Sequence, residues 1–221
     1  MGTFDSVTAN GETSRVFLAG VARPGAPGVV LFHPWWGLNE DATGYAERLA
    51  GHGFYVMAPD MYGGQVVSTI EEAERLSSAL DPRAAGAIGL AAVDRLANTL
   101  GPDAALGALG FSMGAAWSMW CPAERGRLVA SVVYYGTLQG ASLTRARVPV
   151  LGHFAETDPY EADEDVAAFE ATLRGAGRDV TIYRYPGTSH WFAEPSRDAF
   201  RPAAADLAFE RTVAFLGERL G

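Results

Sequence analysis

A short apolar run contains a serine with a glycine two residues before it and another two residues after it. The run reads GALGFSMGAAWS over residues 107–118, and Ser112 is the central residue of Gly-Phe-Ser-Met-Gly. Such a serine is either a turn residue or a nucleophile on a strand-to-helix turn, where Gly110 and Gly114 leave room that a Cβ would fill. Because a serine hydroxyl is a weak nucleophile at neutral pH, the second interpretation requires a base nearby.

A carboxylate and a histidine follow two later strand-like runs. Asp158 comes after VPVLGHFA, and His190 comes after VTIYRYPG. Histidine titrates near neutrality and can take and return a proton, while a carboxylate on its far ring nitrogen fixes the tautomer. We expect Ser112 as nucleophile, His190 as base and Asp158 as the orienting acid, with Glu156 and Asp163 as alternative acids. The order serine, acid, histidine is that of the α/β-hydrolase triad.

Two backbone N–H groups are candidates for an oxyanion hole. The helix that begins at Met113 offers its first N–H groups to a developing negative charge. The second donor should come from the loop after GVVLFH, where Pro34 has no N–H and Trp35 is the next residue. We therefore expect the N–H groups of Met113 and Trp35 to stabilise the tetrahedral intermediate.

Short β-type runs alternate with longer helical runs, which predicts an α/β fold with a mostly parallel sheet and helices on both faces. The predicted strands are 14–20, 28–33, 54–59, 104–111, 128–136, 148–155 and 180–187, and the predicted helices are 39–53, 69–80, 82–100, 113–121, 163–177 and 206–220. In such a sheet the carboxyl ends of the strands share one edge, which places the three candidate residues together. We expect a single domain over residues 1–221. The connection before Val148 is too short to hold a cap domain.

Aromatic residues near these strand ends could line a substrate pocket. The candidates are Trp36, Tyr62, Tyr134, Trp191 and Phe192. Trp117, on the helix behind Ser112, is expected to pack in the core.

Other candidate polar residues are expected to have structural roles. We expect His33 to order the oxyanion loop by hydrogen bonds and Asp60 to brace a loop. His153 and Cys121 should be buried, and His52 should lie exposed at a helix end.

Composition narrows the classes of partner. The net charge is −9, with 17 Lys and Arg against 26 Asp and Glu, so nucleic acid and anionic membrane surfaces are poor partners. The chain has one cysteine and therefore no internal disulfide, which suits a reducing compartment. No signal peptide or membrane-spanning run is found at the N-terminus or beyond it, and we expect a cytoplasmic monomer or homodimer.

The chain resembles the dienelactone hydrolase family of α/β-hydrolases. The resemblance is carried by VVLFHPWWGLNE, YAERLAGHGFYVMAPDMYGG, ALGALGFSMGA and YPGTSHWF, which are spread from about Val29 to Phe200. It implies a lidless domain with a Cys or Ser–Asp–His triad that hydrolyses a small ester or lactone. No metal or organic cofactor is expected.

Three positions depart from the family pattern. Ser112 stands where dienelactone hydrolases proper have cysteine, and Pro34 stands where they have a glutamate that interacts with the resting thiol. Glu194 occupies the position of one of two arginines that hold the dienelactone carboxylate, and Arg75 or Arg83 is a candidate for the other. These departures favour an uncharged substrate.

The sequence thus predicts a serine hydrolase of small, uncharged esters or lactones. Thioester or amide hydrolysis on the same triad is the alternative chemistry, and a non-catalytic binding module on the same fold is the alternative class. A serine that replaces a native cysteine is a further hypothesis that one sequence leaves open.

Overall fold

One eight-stranded sheet with seven helices accounts for the described part of the chain, residues 2–221 of a computed structural model. The strands are β1 (Thr3–Ala9), β2 (Glu12–Ala19), β3 (Gly28–Phe32), β4 (Tyr55–Pro59), β5 (Leu106–Phe111), β6 (Leu128–Tyr134), β7 (Val150–Ala155) and β8 (Val180–Tyr185). The helices are α1 (Glu40–Gly51), α2 (Ile70–Ser78), α3 (Pro82–Leu100), α4 (Met113–Glu124), α5 (Ala141–Arg145), α6 (Asp163–Gly175) and α7 (Pro202–Leu220).

The strand order is β1-β2-β4-β3-β5-β6-β7-β8, and the sheet is parallel from β4 to β8. The chain moves from β3 outward to β4 on one side and later to β5 on the other side. Ligands bind α/β sheets at such a switch point, outside the carboxyl ends of the strands. The loop after β3 and the turn after β5 are therefore neighbours at this edge.

Helices cover both faces of the sheet and close two apolar layers. Helices α1 and α7 pack on one face, and α3, α4 and α6 pack on the other. All five residues of β3 and all six of β5 are buried, which explains why these central strands are continuous apolar runs. The predicted α/β-hydrolase architecture is confirmed.

The structure adds two elements and moves several boundaries. Strand β1 pairs antiparallel with β2 across the turn at Asn10 and Gly11, and only Val7 of its side chains is buried. A strand with one buried side chain lacks the apolar alternation on which prediction depends. The short helix α5 was also not predicted, and α7 begins at Pro202 instead of residue 206.

No separate cap domain is inserted between the elements from Thr3 to Leu220. The segment that joins β6 to β7 contains only the five-residue helix α5.

Candidate active site

Ser112 lies on a strained turn between β5 and α4. Its φ and ψ are 50° and −117°, in a region that non-glycine residues rarely adopt. A Cβ on Gly114 would approach the carbonyl oxygen of His33 to 2.6 Å, and one on Gly110 would overlap the backbone of Gly114. The two glycines thus let α4 pack directly against β3 and β5, which holds the serine side chain at the edge of the sheet.

The three residues predicted as a triad form a hydrogen-bonded relay. Ser112 Oγ lies 2.9 Å from His190 Nε2, and His190 Nδ1 lies 2.9 and 2.8 Å from the two carboxylate oxygens of Asp158. The side chains of His190 and Asp158 are each 3% exposed. A carboxylate at Nδ1 favours the tautomer whose Nε2 lone pair faces the serine hydroxyl.

Asp158 is fixed by the backbone of its own loop. Its Oδ1 accepts hydrogen bonds from the N–H groups of Tyr160 and Glu161 at 2.9 and 3.1 Å. Glu161 in turn accepts from the backbone N–H and the hydroxyl of Thr137, which follows β6. Burial raises the pKa of Glu161. This loop therefore ties the end of β7 to the end of β6 beside His190.

The two alternative acids have other partners. Glu156 accepts the backbone N–H of Gly187 at 2.8 Å on the loop that leads to His190. Asp163 pairs with Arg184 at 2.8 Å, and its side chain is 76% exposed. The structure thus brings Asp158, and not these two carboxylates, to the histidine.

The predicted oxyanion donors lie on the two segments that meet at the switch point. Met113 is the first residue of α4, where N–H groups have no partner inside the helix. Trp35 belongs to the loop after β3, and His33 orders that loop. His33 Nδ1 lies 2.6 Å from the carbonyl of Pro34, and its Nε2 accepts the N–H of Met61 at 3.0 Å. Burial lowers the pKa of His33, so the ring is neutral and donates from Nδ1.

Asp60 braces the neighbouring loop, as predicted. It accepts the N–H groups of Tyr62 and Gly64 and pairs with Arg15 at 3.1 Å. The hydroxyl of Tyr62 lies 3.1 Å from the sulfur of Met113, and burial raises the pKa of Tyr62 to about 12. Tyr62 therefore supports the first turn of α4 from one side.

Three aromatic rings form a partly exposed surface beside His190, which we call the aromatic ledge: Trp35, Tyr160 and Trp191. The centroid distances are 5.4 Å for Trp35 to Tyr160, 5.2 Å for Tyr160 to Trp191 and 6.1 Å for Trp35 to Trp191. Tyr160 and Trp191 also pack on the His190 ring at 4.9 and 5.1 Å. The ledge therefore adjoins the histidine that contacts Ser112.

Four of the residues predicted to line the pocket are buried: Tyr62, described above, and Trp36, Tyr134 and Phe192. Trp36 is 1% exposed and lies under the Arg197 guanidinium at 4.0 Å. Tyr134 is fully buried, because it faces the side of the sheet that α1 and α7 cover, and its hydroxyl contacts those of Tyr45 and Thr212. Phe192 is also fully buried in that layer. Tyr134 and Phe192 are therefore core residues, which corrects the prediction.

Sequence reasoning overlooked Tyr135, Tyr160 and Glu194 as neighbours of the site. Tyr135 follows β6 with a φ of +36°, and its ring packs on His190 at 4.9 Å. The sequence placed it inside a strand that ended at residue 136, which hid the turn. Glu194 was weighed only as a departure from the family pattern.

The remaining polar predictions agree with their positions. His153 is buried and contacts the hydroxyls of Tyr185 and Thr212, and burial lowers its pKa to about 3. Cys121 is buried in α4, and burial raises the pKa of its thiol. Trp117 is half-buried against Trp120 at 5.6 Å, which makes it a peripheral core residue.

Neither a metal cluster nor a membrane span is found within residues 2–221. No group of three or more His, Cys, Asp or Glu side chains there is arranged to hold a metal ion. No helix there is both long and apolar enough to cross a membrane.

Solved structures share the fold over nearly the whole chain. A structure from Klebsiella pneumoniae, provisionally titled as a dienelactone hydrolase, superposes with a TM-score of 0.88 at 22% identity, covering 99% of this chain and 98% of that chain. The dienelactone hydrolase-like promiscuous phosphotriesterase P91 from metagenomic libraries superposes with a TM-score of 0.85 at 24% identity, covering 100% and 99%. At these identities the likeness concerns the fold.

Sequence comparisons identify the family. Protein usf of Aquifex pyrophilus is 30% identical over 231 residues, covering 100% of both chains. A protein of Azospirillum brasilense, provisionally named carboxymethylenebutenolidase, is 32% identical over 239 residues, covering 93% of this chain and 94% of that protein. The family model for dienelactone hydrolases matches residues 15–220. On this evidence the chain belongs to the dienelactone hydrolase family of ester and lactone hydrolases.

Proposed function

We propose that this protein is a serine hydrolase that cleaves small, uncharged esters or lactones through an acyl-enzyme. The observation that carries the proposal is the relay of hydrogen bonds from Ser112 Oγ through His190 to Asp158. A nucleophile, a base within 2.9 Å and a group that orients the base are the parts that acyl transfer needs.

The proposed first step is attack of Ser112 Oγ on the substrate carbonyl carbon. His190 Nε2 takes the hydroxyl proton as the carbon–oxygen bond forms, and Asp158 stabilises the resulting imidazolium. The N–H groups of Met113 and Trp35 donate to the oxyanion of the tetrahedral intermediate. One such donor lowers the barrier by about 3 kcal/mol.

Collapse of the intermediate then releases the alcohol, which takes its proton from His190. In a lactone the alcohol remains attached to the acyl group through its own chain. Water attacks the acyl-enzyme next, with His190 again acting as base, and Ser112 leaves with its proton restored. These steps use only side chains that the relay already aligns.

The groups around the nucleophile favour an uncharged substrate. The aromatic ledge next to His190 presents apolar faces, which suit an apolar acyl or alcohol group. The two candidate arginines, Arg75 and Arg83, are exposed on α2 and α3. The guanidinium of another arginine, Arg197, covers Trp36. Glu194, at the position of one of the two arginines of the family pattern, supplies no positive charge for a substrate carboxylate.

Labelling with a fluorophosphonate probe tests the nucleophile. The wild-type protein should be labelled and should hydrolyse p-nitrophenyl acetate, and Ser112→Ala should lose both properties while keeping the wild-type Tm. Labelling of Ser112→Ala at the wild-type rate would refute the assignment. A folded wild-type protein with neither property would favour a binding module on this fold.

A matched substrate pair tests the charge preference. The p-nitrophenyl esters of butyrate and of succinate share a four-carbon acyl chain and differ by one carboxylate. We expect kcat/KM to be at least tenfold higher for the butyrate ester. Equal values, or a preference for succinate, would contradict the uncharged class. Acyl-CoA and anilide substrates assayed in parallel separate ester hydrolysis from thioester and amide hydrolysis.

A further inference from the structure

Glu194 is a buried carboxyl group that the proposed reaction does not use. Only 2% of the residue is exposed, and it lies four residues after His190 on the loop before α7. A buried carboxyl group is costly unless it is neutral or paired. Its surroundings therefore indicate what holds it there.

Glu194 lies between two parts of the site: the ring that packs on His190 and the loop that carries the proposed oxyanion donor. Its Oε1 accepts a hydrogen bond from the Tyr135 hydroxyl at 2.9 Å, and the Tyr135 ring packs on His190 at 4.9 Å. On the other side, the carboxyl lies beside the loop after β3, where it lines a small cavity with Pro34, and the indole N–H of Trp36 has no hydrogen-bond partner. Trp36 directly follows Trp35, the proposed oxyanion donor.

A small cavity adjoins this carboxyl group. Its volume is about 10 Å³, enough for one water molecule, and Glu194 lines it together with Pro34, Asp41, Ala42, Tyr45, Phe111 and Ala193. The second carboxyl oxygen of Glu194 is buried and has no hydrogen-bond partner in the protein. The oxygen therefore has no fixed donor that would stabilise a negative charge.

The charges around Glu194 favour its neutral form at pH 7. Burial above all, together with the carboxylate of Asp41 on α1, raises the pKa of Glu194 to about 8. Arg197 on the same loop, the Tyr135 hydroxyl after β6 and the Trp36 indole after β3 lower it. The protonated form thus predominates at neutral pH, and a buried negative charge develops as the pH rises through about 8.

On the basis of the serine-hydrolase function above, we propose that Glu194 is a positioning residue of the active site. It accepts the Tyr135 hydroxyl and lies beside the loop after β3, with whose Pro34 it lines one cavity. It thereby fixes the position of the ring that supports His190 relative to the loop that carries the Trp35 N–H. The neutral carboxyl does this without an ionic partner. Its ionisation places a charge between these two parts and disturbs the oxyanion loop.

The test compares Glu194→Gln, Glu194→Leu and Asp198→Asn, the last of which changes an exposed carboxylate on the same loop. In each protein, kcat and KM for p-nitrophenyl butyrate are measured from pH 6 to 10. The amide of Gln still accepts the Tyr135 hydroxyl, so Glu194→Gln should keep kcat at pH 7 within about threefold. It should also lose the decline of kcat that we expect of the wild-type protein above pH 8. Glu194→Leu should lower kcat about tenfold at every pH, with KM changed less than twofold, and Asp198→Asn should keep the wild-type profile.

Persistence of the alkaline decline in Glu194→Gln would overturn the proposal, as would a wild-type kcat in Glu194→Leu. A second measurement does not depend on turnover: tryptophan fluorescence of the wild-type protein should titrate with a midpoint near pH 8, and this transition should be absent in Glu194→Gln. Absence of the transition in the wild-type protein would also overturn the proposal. Failure of the serine-hydrolase function is recognised separately, by absence of fluorophosphonate labelling.

Discussion

Replacement of Asp158 by asparagine tests the relay by reversing one hydrogen bond. Asp158 Oδ1 accepts the backbone N–H groups of Tyr160 and Glu161, so the amide oxygen of the asparagine must take that position. Its NH₂ group then replaces Oδ2, which lies 2.8 Å from His190 Nδ1. An NH₂ group only donates, so it favours the tautomer that carries its proton on Nε2, while the amide oxygen in the Oδ1 position, 2.9 Å from Nδ1, is a weaker acceptor of an Nδ1 proton than the carboxylate was.

The tautomer change removes the base from the nucleophile. Nε2 lies 2.9 Å from Ser112 Oγ and can no longer accept the hydroxyl proton once it bears its own. Loss of the correct tautomer with the geometry retained lowers kcat by about 10⁴-fold, as in a serine protease with the same substitution. This corresponds to about 5.4 kcal/mol in the activation barrier.

The assay is the hydrolysis of p-nitrophenyl acetate by the wild-type protein, Asp158→Asn and Asp163→Asn. Asp163→Asn makes the same chemical change at a side chain that is 76% exposed, and its kcat should match the wild type. Thermal unfolding shows whether Asp158→Asn remains folded. A folded Asp158→Asn protein with kcat within tenfold of the wild type would refute the assignment of Asp158 as the orienting acid.

Three further predictions concern packing, buried charge and the aromatic ledge. Gly114→Ala should destabilise the protein by about 3 kcal/mol, since its Cβ would meet the carbonyl of His33 at 2.6 Å. The control Gly217→Ala lies in open space on α7 and should not lower the Tm. Equal Tm values for the two variants would contradict the overlap at Gly114. Glu194 has a pKa of about 8 in the folded protein against 4.5 ordinarily, so its stabilising contribution is full below pH 4.5 and is lost as the pH rises through 8. The stability of Glu194→Gln relative to the wild-type protein, measured by Tm, should accordingly grow from pH 5 to pH 8. The difference in unfolding free energy approaches a ceiling of about 5 kcal/mol. A Tm difference that stays constant with pH would refute this prediction. Tyr160→Ala should raise KM for aryl esters about fivefold relative to Tyr160→Phe, and unchanged KM would remove Tyr160 from the substrate surface.

The sequence predicted the layered fold because its signals are local. Continuous apolar runs such as 28–33 and 104–111 mark central strands that are buried on both faces, and the helices between them carry their own caps. Asn39 caps α1 by accepting the N–H of Ala42 at 3.1 Å, and Pro82 opens α3. Strand β1 was missed because it buries only Val7, and its position depends on pairing with β2 instead of on its own pattern.

The order of Ser112, Asp158 and His190 along the chain predicted that they would meet, because parallel strands end at one edge of the sheet. The tertiary structure determines which carboxylate contacts the histidine. Glu156, Asp158 and Asp163 all follow β7, and only the conformation of that loop directs Asp158 to Nδ1 while Asp163 pairs with Arg184. A sequence does not show the direction of a side chain in a loop.

The surroundings of the triad were decided by the tertiary structure alone. Tyr134 and Tyr135 are adjacent and chemically identical, and both are buried in the layer under α1 and α7. Tyr135, whose φ is +36°, also packs on His190. Glu194 was recognisable in the sequence only as an acid in an unusual place. Its burial and its hydrogen bond to Tyr135 arise from segments 59 residues apart. The sequence by itself thus determined the fold class, the family and the candidate nucleophile, base and acid, since these depend on local patterns and chain order. The residues that surround the triad are determined by contacts between distant segments, which only the folded chain brings together.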